Sequence, residues 1–354
     1  MKPISMVAVG PDDESERQQW LDAIAEVIDD RSFCLGKSVV EFEERCQAAL
    51  EVPHAIGVSS GTDALRIALQ VSGIGPGDEV IVPAFTFFAS ASVVSQLGAT
   101  PVFADIDPET LLIDPDEVAR HIGSSTRAIL PVHLYGQAAD LDRLIPIARE
   151  SGVALIEDSA QAFGVRHHQR FLGTIGEVGA FSFYPTKNLA AAGDAGLVTT
   201  ADAGKAERIR RLRVHGDCGG YQHTELGWNA RMDGFQAAVL SLRLERLEAH
   251  QQAREANARR YLAELEDQGL LDQIRPLRRT ANSGHSWHQF IVRVEKREAL
   301  RRFLLAEGID TGVYYPGVLP HQKVFADLGH SLGDFPAAEE ADRPRRRGDR
   351  SRVH

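Results

Sequence analysis

From residue 54 to 200, short apolar runs rich in β-forming residues alternate with longer stretches of helical period. The strand candidates are 54–58, 79–82, 101–104, 128–132, 154–156, 180–183 and 197–200. Helical stretches between them include 64–71, 89–97, 116–122 and 140–150. Several of the runs are apolar at nearly every position, as a strand covered on both faces must be. Strands and helices in such alternation build an α/β fold with a mainly parallel central sheet and helices on both faces. Sheets of this kind gather ligands beyond the carboxyl ends of their strands. That rim is where chemistry is expected.

Three features fall on it. Lys187 sits in a turn after the apolar run 180–183, and Asp158 ends the run that begins at 154, 29 residues earlier. A lysine held in a pocket can lose its proton and form a Schiff base with an aldehyde. An aspartate at the end of a buried strand can keep a pyridine nitrogen protonated, and the pair is what pyridoxal 5′-phosphate requires. The third feature is the segment Val58-Ser59-Ser60-Gly61-Thr62, a strand running through a small polar turn into an apolar-periodic helix. Gly61 lets the backbone approach an anion, Thr62 reads as the N-cap, and free N–H groups at the helix start suit a phosphate. Each feature has an ordinary alternative: a solvated lysine, a capping aspartate, a capped helix. Their meeting on one rim is what favours a cofactor site.

Further candidates surround these. Ser182 could add a phosphate hydroxyl. One ring of the aromatic cluster Phe85-Thr86-Phe87-Phe88 could cover a flat cofactor ring, although at least one phenylalanine there belongs to the core. Gln161 lies one short turn beyond Asp158 and could reach a phenolic oxygen of the cofactor or bond the start of a helix. His133, in the run Pro131-Val132-His133-Leu134-Tyr135-Gly136, could touch substrate or satisfy a backbone group.

The segments Ser60–Leu65, 83–87, 157–162, 181–189, 193–196 and 227–233 occur in an order that resembles the DegT-type (DegT/StrS) sugar aminotransferases, enzymes of fold type I that use pyridoxal phosphate. The likeness spans about residues 20 to 340. It implies that Lys187 carries the cofactor, that Asp158 pairs with its ring nitrogen and that Gln161 contacts its ring oxygen. By the same resemblance Phe87 stacks on the ring, and Gly61, Thr62 and Ser182 hold the phosphate. Asn229 would reach the phosphate of a neighbouring subunit, so a homodimer with shared sites is implied. A related branch of the family has histidine at the place of Lys187 and dehydrates its substrate, so lysine implies transamination. The implied reaction moves an amino group from an amino acid, glutamate foremost, to a nucleotide-linked keto-deoxyhexose, a leaning drawn from the segment 193–196. Alternatives are another cyclic ketone such as a keto-inositol, or a regulatory protein that binds the cofactor without turnover. Substrate contacts are implied for Tyr315 in Tyr314-Tyr315-Pro316, and for His321, which stands one place later than the family pattern has it.

A different texture begins near residue 233. A long amphipathic helix is expected to run to about residue 266, followed by a strand-like 287–294, a helical 297–307 and a strand-like 312–315. The expected division is a large cofactor-binding domain at 1–240 with an N-terminal helical arm, then a small α+β domain at 241–340. In the last fourteen residues, 341–354, six arginines replace the apolar pattern, so disorder is expected there. A reading frame shifted near Asp342 would explain the break, leaving the small domain short of its closing element.

The formal net charge of −11 argues against nucleic acid or an anionic membrane as a partner. No stretch has the length a membrane helix needs, and the N-terminus lacks a signal peptide's apolar core. Cys34, Cys46 and Cys218 form neither a disulfide framework nor a metal pattern, so a cytoplasmic protein without a metal is expected.

Overall fold

The computed structural model describes residues 3–342. The chain opens with helices α1 (Glu14–Asp29) and α2 (Lys37–Leu50) and then enters an alternating core. That core runs β1 (His54–Val58), α3 (Gly61–Val71), β2 (Glu79–Pro83), α4 (Ala89–Gln96), β3 (Thr100–Ala104), α5 (Pro115–His121), β4 (Thr126–Ile129), α6 (Leu141–Ser151) and β5 (Ala154–Asp158). A small hairpin follows, β6 (Arg166–His167) and β7 (Arg170–Phe171), and then β8 (Val178–Ser182), β9 (Gly196–Thr200) and α7 (Ala203–Leu212). The C-terminal part contains α8 (Gly234–Asp267), β10 (Ile274–Pro276), β11 (Val292–Val294), α9 (Arg297–Ala306) and α10 (Pro336–Asp342).

Seven strands form one sheet in the order β1-β9-β8-β5-β4-β2-β3. Neighbours from β8 to β3 pair in parallel, and β9 alone runs against both β1 and β8. The expected mainly parallel α/β sheet is therefore present. Successive side chains of a strand point to opposite faces, and the core divides accordingly. Ile56, Val80, Val82, Ala128, Ile156 and Val198 pack with α3, α4 and α7 on one face. Ala55, Phe181 and Leu197 pack with α2 and α8 on the other. Beside them Ile81, Ile129 and Leu155 meet α5 and α6.

Departures from the expected elements have local causes. The strand expected at 128–132 loses its regular pairing at Ile129, and only a single bridge from Val132 to Asp158 resumes it. Pro131 lies between, with no N–H to give to a ladder. Thr62 is not the cap of α3; Ser60 is, its hydroxyl accepting from the Asp63 N–H at 3.1 Å. In the C-terminal part only Val292–Val294 of 287–294 is strand, and the expected run opens on Trp287 in a left-handed φ of 47°. Residues 312–315 form no strand. The expected helix at 297–307 is α9, and the expected boundary at 240/241 falls inside the continuous α8. The tail expectation lies outside the described residues from 343 onward.

Candidate active site

Asp158 closes β5 with its side chain buried, 4% exposed, between the start of α4 and the turn after β8. Ser90, from the first turn of α4, donates to its Oδ2 at 2.8 Å, and the Ala160 N–H donates to Oδ1 at 3.1 Å. Burial pushes the Asp158 pKa up, and those two donors together with the charge of Lys187 oppose the rise. Lys187 stands in the turn after β8, where its N–H donates to Tyr184 O at 2.8 Å. Its amine is desolvated, which lowers its pKa to about 8, while Asp158 pulls the other way. The two groups sequence reasoning paired thus act on each other across the sheet rim. A lysine with that pKa carries a usable fraction of neutral amine near neutral pH.

The phosphate-type turn lies beside them. Gly61 packs so closely against the end of β8 that a Cβ there would meet Ser182 Cβ and Oγ, which explains the glycine. Its neighbour Thr62 is the second residue of α3, so the first N–H groups of an eleven-residue helix open toward Ser182. Such a cradle of small residues and free donors fits a phosphate, and the Asp158–Lys187 pair fits a pyridine ring bearing an aldehyde. Phe87 is 54% exposed and tilts against Tyr315 with ring centroids 6.0 Å apart, whereas Phe85 is buried. Phe85 is thus the core phenylalanine, and Phe87 presents a ring at the surface.

Gln161 is fixed at both ends of its amide. Tyr135 N–H donates to Oε1 at 2.6 Å, and Nε2 donates to the Tyr315 hydroxyl at 3.0 Å. Tyr315 therefore meets the candidate group, its own pKa raised by burial. His133 is fully buried and both ring nitrogens are engaged. Ala139 N–H donates to Nδ1 at 3.1 Å, which places the proton on Nε2, 3.0 Å from Glu157 Oε2. That arrangement leaves no ring nitrogen for a substrate, so the backbone-satisfying alternative is the one realised. His321 lies against the elements near 331–339, its Nε2 3.3 Å from Ser331 O and 3.6 Å from Glu339. Asn229 is exposed on the segment that pairs with Val214.

Several residues at the site carried no signal in the sequence. Ser90 read as part of a small apolar helix. Glu157 is fully buried yet accepts from Gly173, Ile175 and Gly176 N–H as well as facing His133. Burial alone would raise its pKa; His133 and these backbone donors bring it below the ordinary carboxylate value. Next to Lys187, Asn188 donates to Ser286 O at 2.6 Å, and its Oδ1 lies 3.1 Å from His288 Nδ1. Burial, then the charge of Lys187, holds the His288 pKa well below its usual value, so this imidazole is neutral. These partners come from distant parts of the chain, so no local pattern pointed to them.

Comparison with known proteins gives the same reading. The chain is 44% identical over 326 residues to a dTDP-3-amino-3,4,6-trideoxy-alpha-D-glucose transaminase of Streptomyces venezuelae, covering 92% of this chain and 85% of that one. It is 41% identical over 338 residues to a pleiotropic regulatory protein of Geobacillus stearothermophilus, covering 96% and 91%. The crystal structure of S. venezuelae DesV in complex with a ketimine intermediate superimposes with a TM-score of 0.92 at 41% identity, covering 97% and 91%. With the family model matching residues 14–344, the chain belongs to the DegT/DnrJ/EryC1/StrS aminotransferase family.

Proposed function

We propose that this chain transfers an amino group from an amino acid, with glutamate as the first donor to test, to a keto-sugar carried on a nucleotide. The observation that carries the reading is the desolvated Lys187 amine facing a buried Asp158 that Ser90 and Ala160 hold in place. Membership of an aminotransferase family and the named activity of the Streptomyces transaminase support the substrate class.

Pyridoxal 5′-phosphate, when bound, supplies an aldehyde that captures the amine and a ring that takes up electrons from the substrate carbon. The chain's residues do the rest. Asp158 would hold a proton at the ring nitrogen, and its seat on β5 keeps that carboxylate from turning away. Gly61 and Thr62 would offer backbone N–H groups to the phosphate, with the Ser182 hydroxyl opposite. Phe87 would cover the ring, and Gln161 Nε2 would point at its oxygen in company with Tyr315. Lys187 Nζ would take the proton from the carbon bearing the amino group and return it on the far side of the transfer, as a neutral amine of lowered pKa can. Asn229 would complete the phosphate site of a second copy, which makes the working unit a homodimer. Free cysteines and, among the described residues, no helix long and apolar enough to cross a membrane support a cytoplasmic setting.

A second reading, cofactor binding in the service of regulation, is favoured by the name of the Geobacillus relative. One experiment separates the two. The protein is loaded with pyridoxal phosphate, and its visible absorption band is followed as glutamate is added. An aminotransferase bleaches the band and then transfers the amino group to a dTDP- or UDP-linked keto-sugar; Lys187→Ala gives no such band and loses at least about 10⁴-fold in rate. A band that persists with every amino donor tried supports the regulatory reading instead.

A further inference from the structure

A second cluster of reactive side chains lies away from Lys187, at the hairpin that follows β5. His167 ends β6, His168 begins the turn into β7, and Asp142 stands in the first turn of α6. The His167 Nε2 lies 3.1 Å from Asp142 Oδ1, and the His168 Nε2 lies 2.9 Å from the same oxygen. All three ligand atoms fall within 4.8 Å of one another. In a tetrahedral zinc site with bonds of ~2.0–2.1 Å, neighbouring ligand atoms are ~3.3 Å apart. The two histidine–carboxylate separations already lie within a few tenths of an ångström of that spacing, and the two ring nitrogens are no more than 4.8 Å apart. We propose that Asp142, His167 and His168 form a binding site for a divalent transition metal of the zinc type, with water as the fourth ligand.

Two histidines sharing a carboxylate could be no more than a hydrogen-bonded pair, and the ring environments argue for more. A metal-binding imidazole must give up the proton on its ligating nitrogen. His133 cannot, because the Ala139 N–H occupies its Nδ1 and holds the proton on Nε2. His167 is only 4% exposed, its Nε2 faces the cluster, and its Nδ1 has no protein partner among the described residues. Without an ion the Asp142 carboxylate, which can only accept, keeps a proton on Nε2, and the open Nδ1 can take that proton when a metal displaces it. His168 occupies a left-handed turn position, φ 50°, where glycine or asparagine is the usual residue. The charges nearby are also arranged for a cation. Arg143 is paired with Asp116, Arg166 with Glu51 and Arg278 with Asp107, so the closest guanidinium groups are committed elsewhere. Asp142 also lines a cavity of about 150 Å³ whose wall carries Asp107, Asp114 and Asp140 together with the paired Arg143 and Arg278, so water can reach the carboxylate from that side. The sequence held no sign of this, because cysteine spacing was its only metal criterion and these ligands come from two distant segments.

An ion here would join three parts of the fold. Asn282 donates to Asp142 Oδ2 at 3.2 Å, and its carbonyl accepts from the His168 N–H at 2.7 Å. From Asn282 the chain runs to Ser286, whose hydroxyl donates to Gln161 O at 2.8 Å. The metal would thus anchor the strand of chain that leads to the candidate active site, without touching it.

The test uses tag-free holoenzyme, stripped with a chelator, dialysed and titrated with zinc chloride at pH 7.5 by calorimetry, with metal content measured on the dialysed protein. His168→Asn keeps a residue that tolerates the left-handed turn, and Asp142→Asn keeps the side-chain shape; circular dichroism confirms that both fold. One ion per chain is expected beyond any bound by the exposed Cys34 and Cys218, with affinity at least about tenfold lower in either variant. Zinc should raise the melting temperature of the unaltered protein and not that of His168→Asn. Equal stoichiometry and affinity in all three proteins, or no ion held at 100 µM zinc (a level set roughly by ordinary site affinities), would overturn the proposal.

Discussion

Strands β5 and β8 carry the candidate site and are buried along nearly their whole length, whereas β10 and β11 contain no fully buried residue and α9 buries none either. Phe303 and Leu305 on α9 are 61% and 65% exposed, while Phe181 and Phe183 beside Lys187 are completely buried. Full burial of such a side chain contributes about 1.5–3 kcal/mol, so one region is held by its own core and the other by little of its own. The comparison teaches where rigidity is placed. Asp158, Ser182 and Gly61 are set on elements that cannot shift without opening the sheet, and Tyr315 and Ser286 reach them from the looser part.

The deepest test of that contrast is Glu157→Ala, which leaves the His133 Nε2–H and three backbone N–H groups buried without their acceptor. Loss of about 3–5 kcal/mol is expected in equilibrium denaturation. The Glu157 pKa lies below 4.5 in the folded chain, so its stabilisation is present above that value and drains away as pH falls through the folded pKa. A loss under 1 kcal/mol, by the same scale of roughly 3–5, would mean the rim is not rigid. Next in size, Asp158→Asn keeps the Ser90 contact and should fold normally but lower turnover roughly 10²–10³-fold. Unchanged turnover would remove Asp158 from the chemistry.

Smaller again is a pH effect in the apoprotein. Capture of pyridoxal phosphate needs the neutral Lys187 amine, so its rate should climb about tenfold per pH unit and level off near pH 8. A plateau near the ordinary lysine value of 10.5 would show that the amine is solvated. The smallest effect is expected in the loose region: Phe303→Ser should change monomer stability by no more than about 0.5 kcal/mol. A large loss would show that α9 is packed against something more than its own chain supplies.

The sheet was legible in the sequence because strands buried on both faces are apolar at most positions, and the runs at 54–58 and 197–200 match β1 and β9 nearly to the residue. Lys187 and Asp158 were legible because strand ends mark the rim. The C-terminal region was not, since a segment such as 282–288 is held by isolated backbone bridges and side-chain bonds rather than by a continuous ladder. Gly136 O accepts from the Ser286 N–H there, and the Trp287 N–H turns to His285 Nδ1. No periodicity records such bonds. Ser90 and Glu157 were equally hidden, because a hydroxyl within a small apolar helix and an acid within an apolar strand reveal themselves only when their partners arrive from other elements.

Helix α8 has a mechanical consequence. It is 34 residues long, about 50 Å, and its buried side chains cluster from Gly234 to Leu247, with Ala258 the last. Its first fourteen residues are clamped to the body, and of the rest only Ala258 is buried. A tilt of about 10° near Leu247 would sweep the end at Asp267 through about 5 Å, since twenty residues of helix span about 30 Å. Gln251, donating to Phe163 O at 2.8 Å, and Arg254, donating to Trp287 O at 3.1 Å, act as the stops. A small rotation at the clamp would thus move the far end of α8 more than Ser286, whose hydroxyl is tied to Gln161 O.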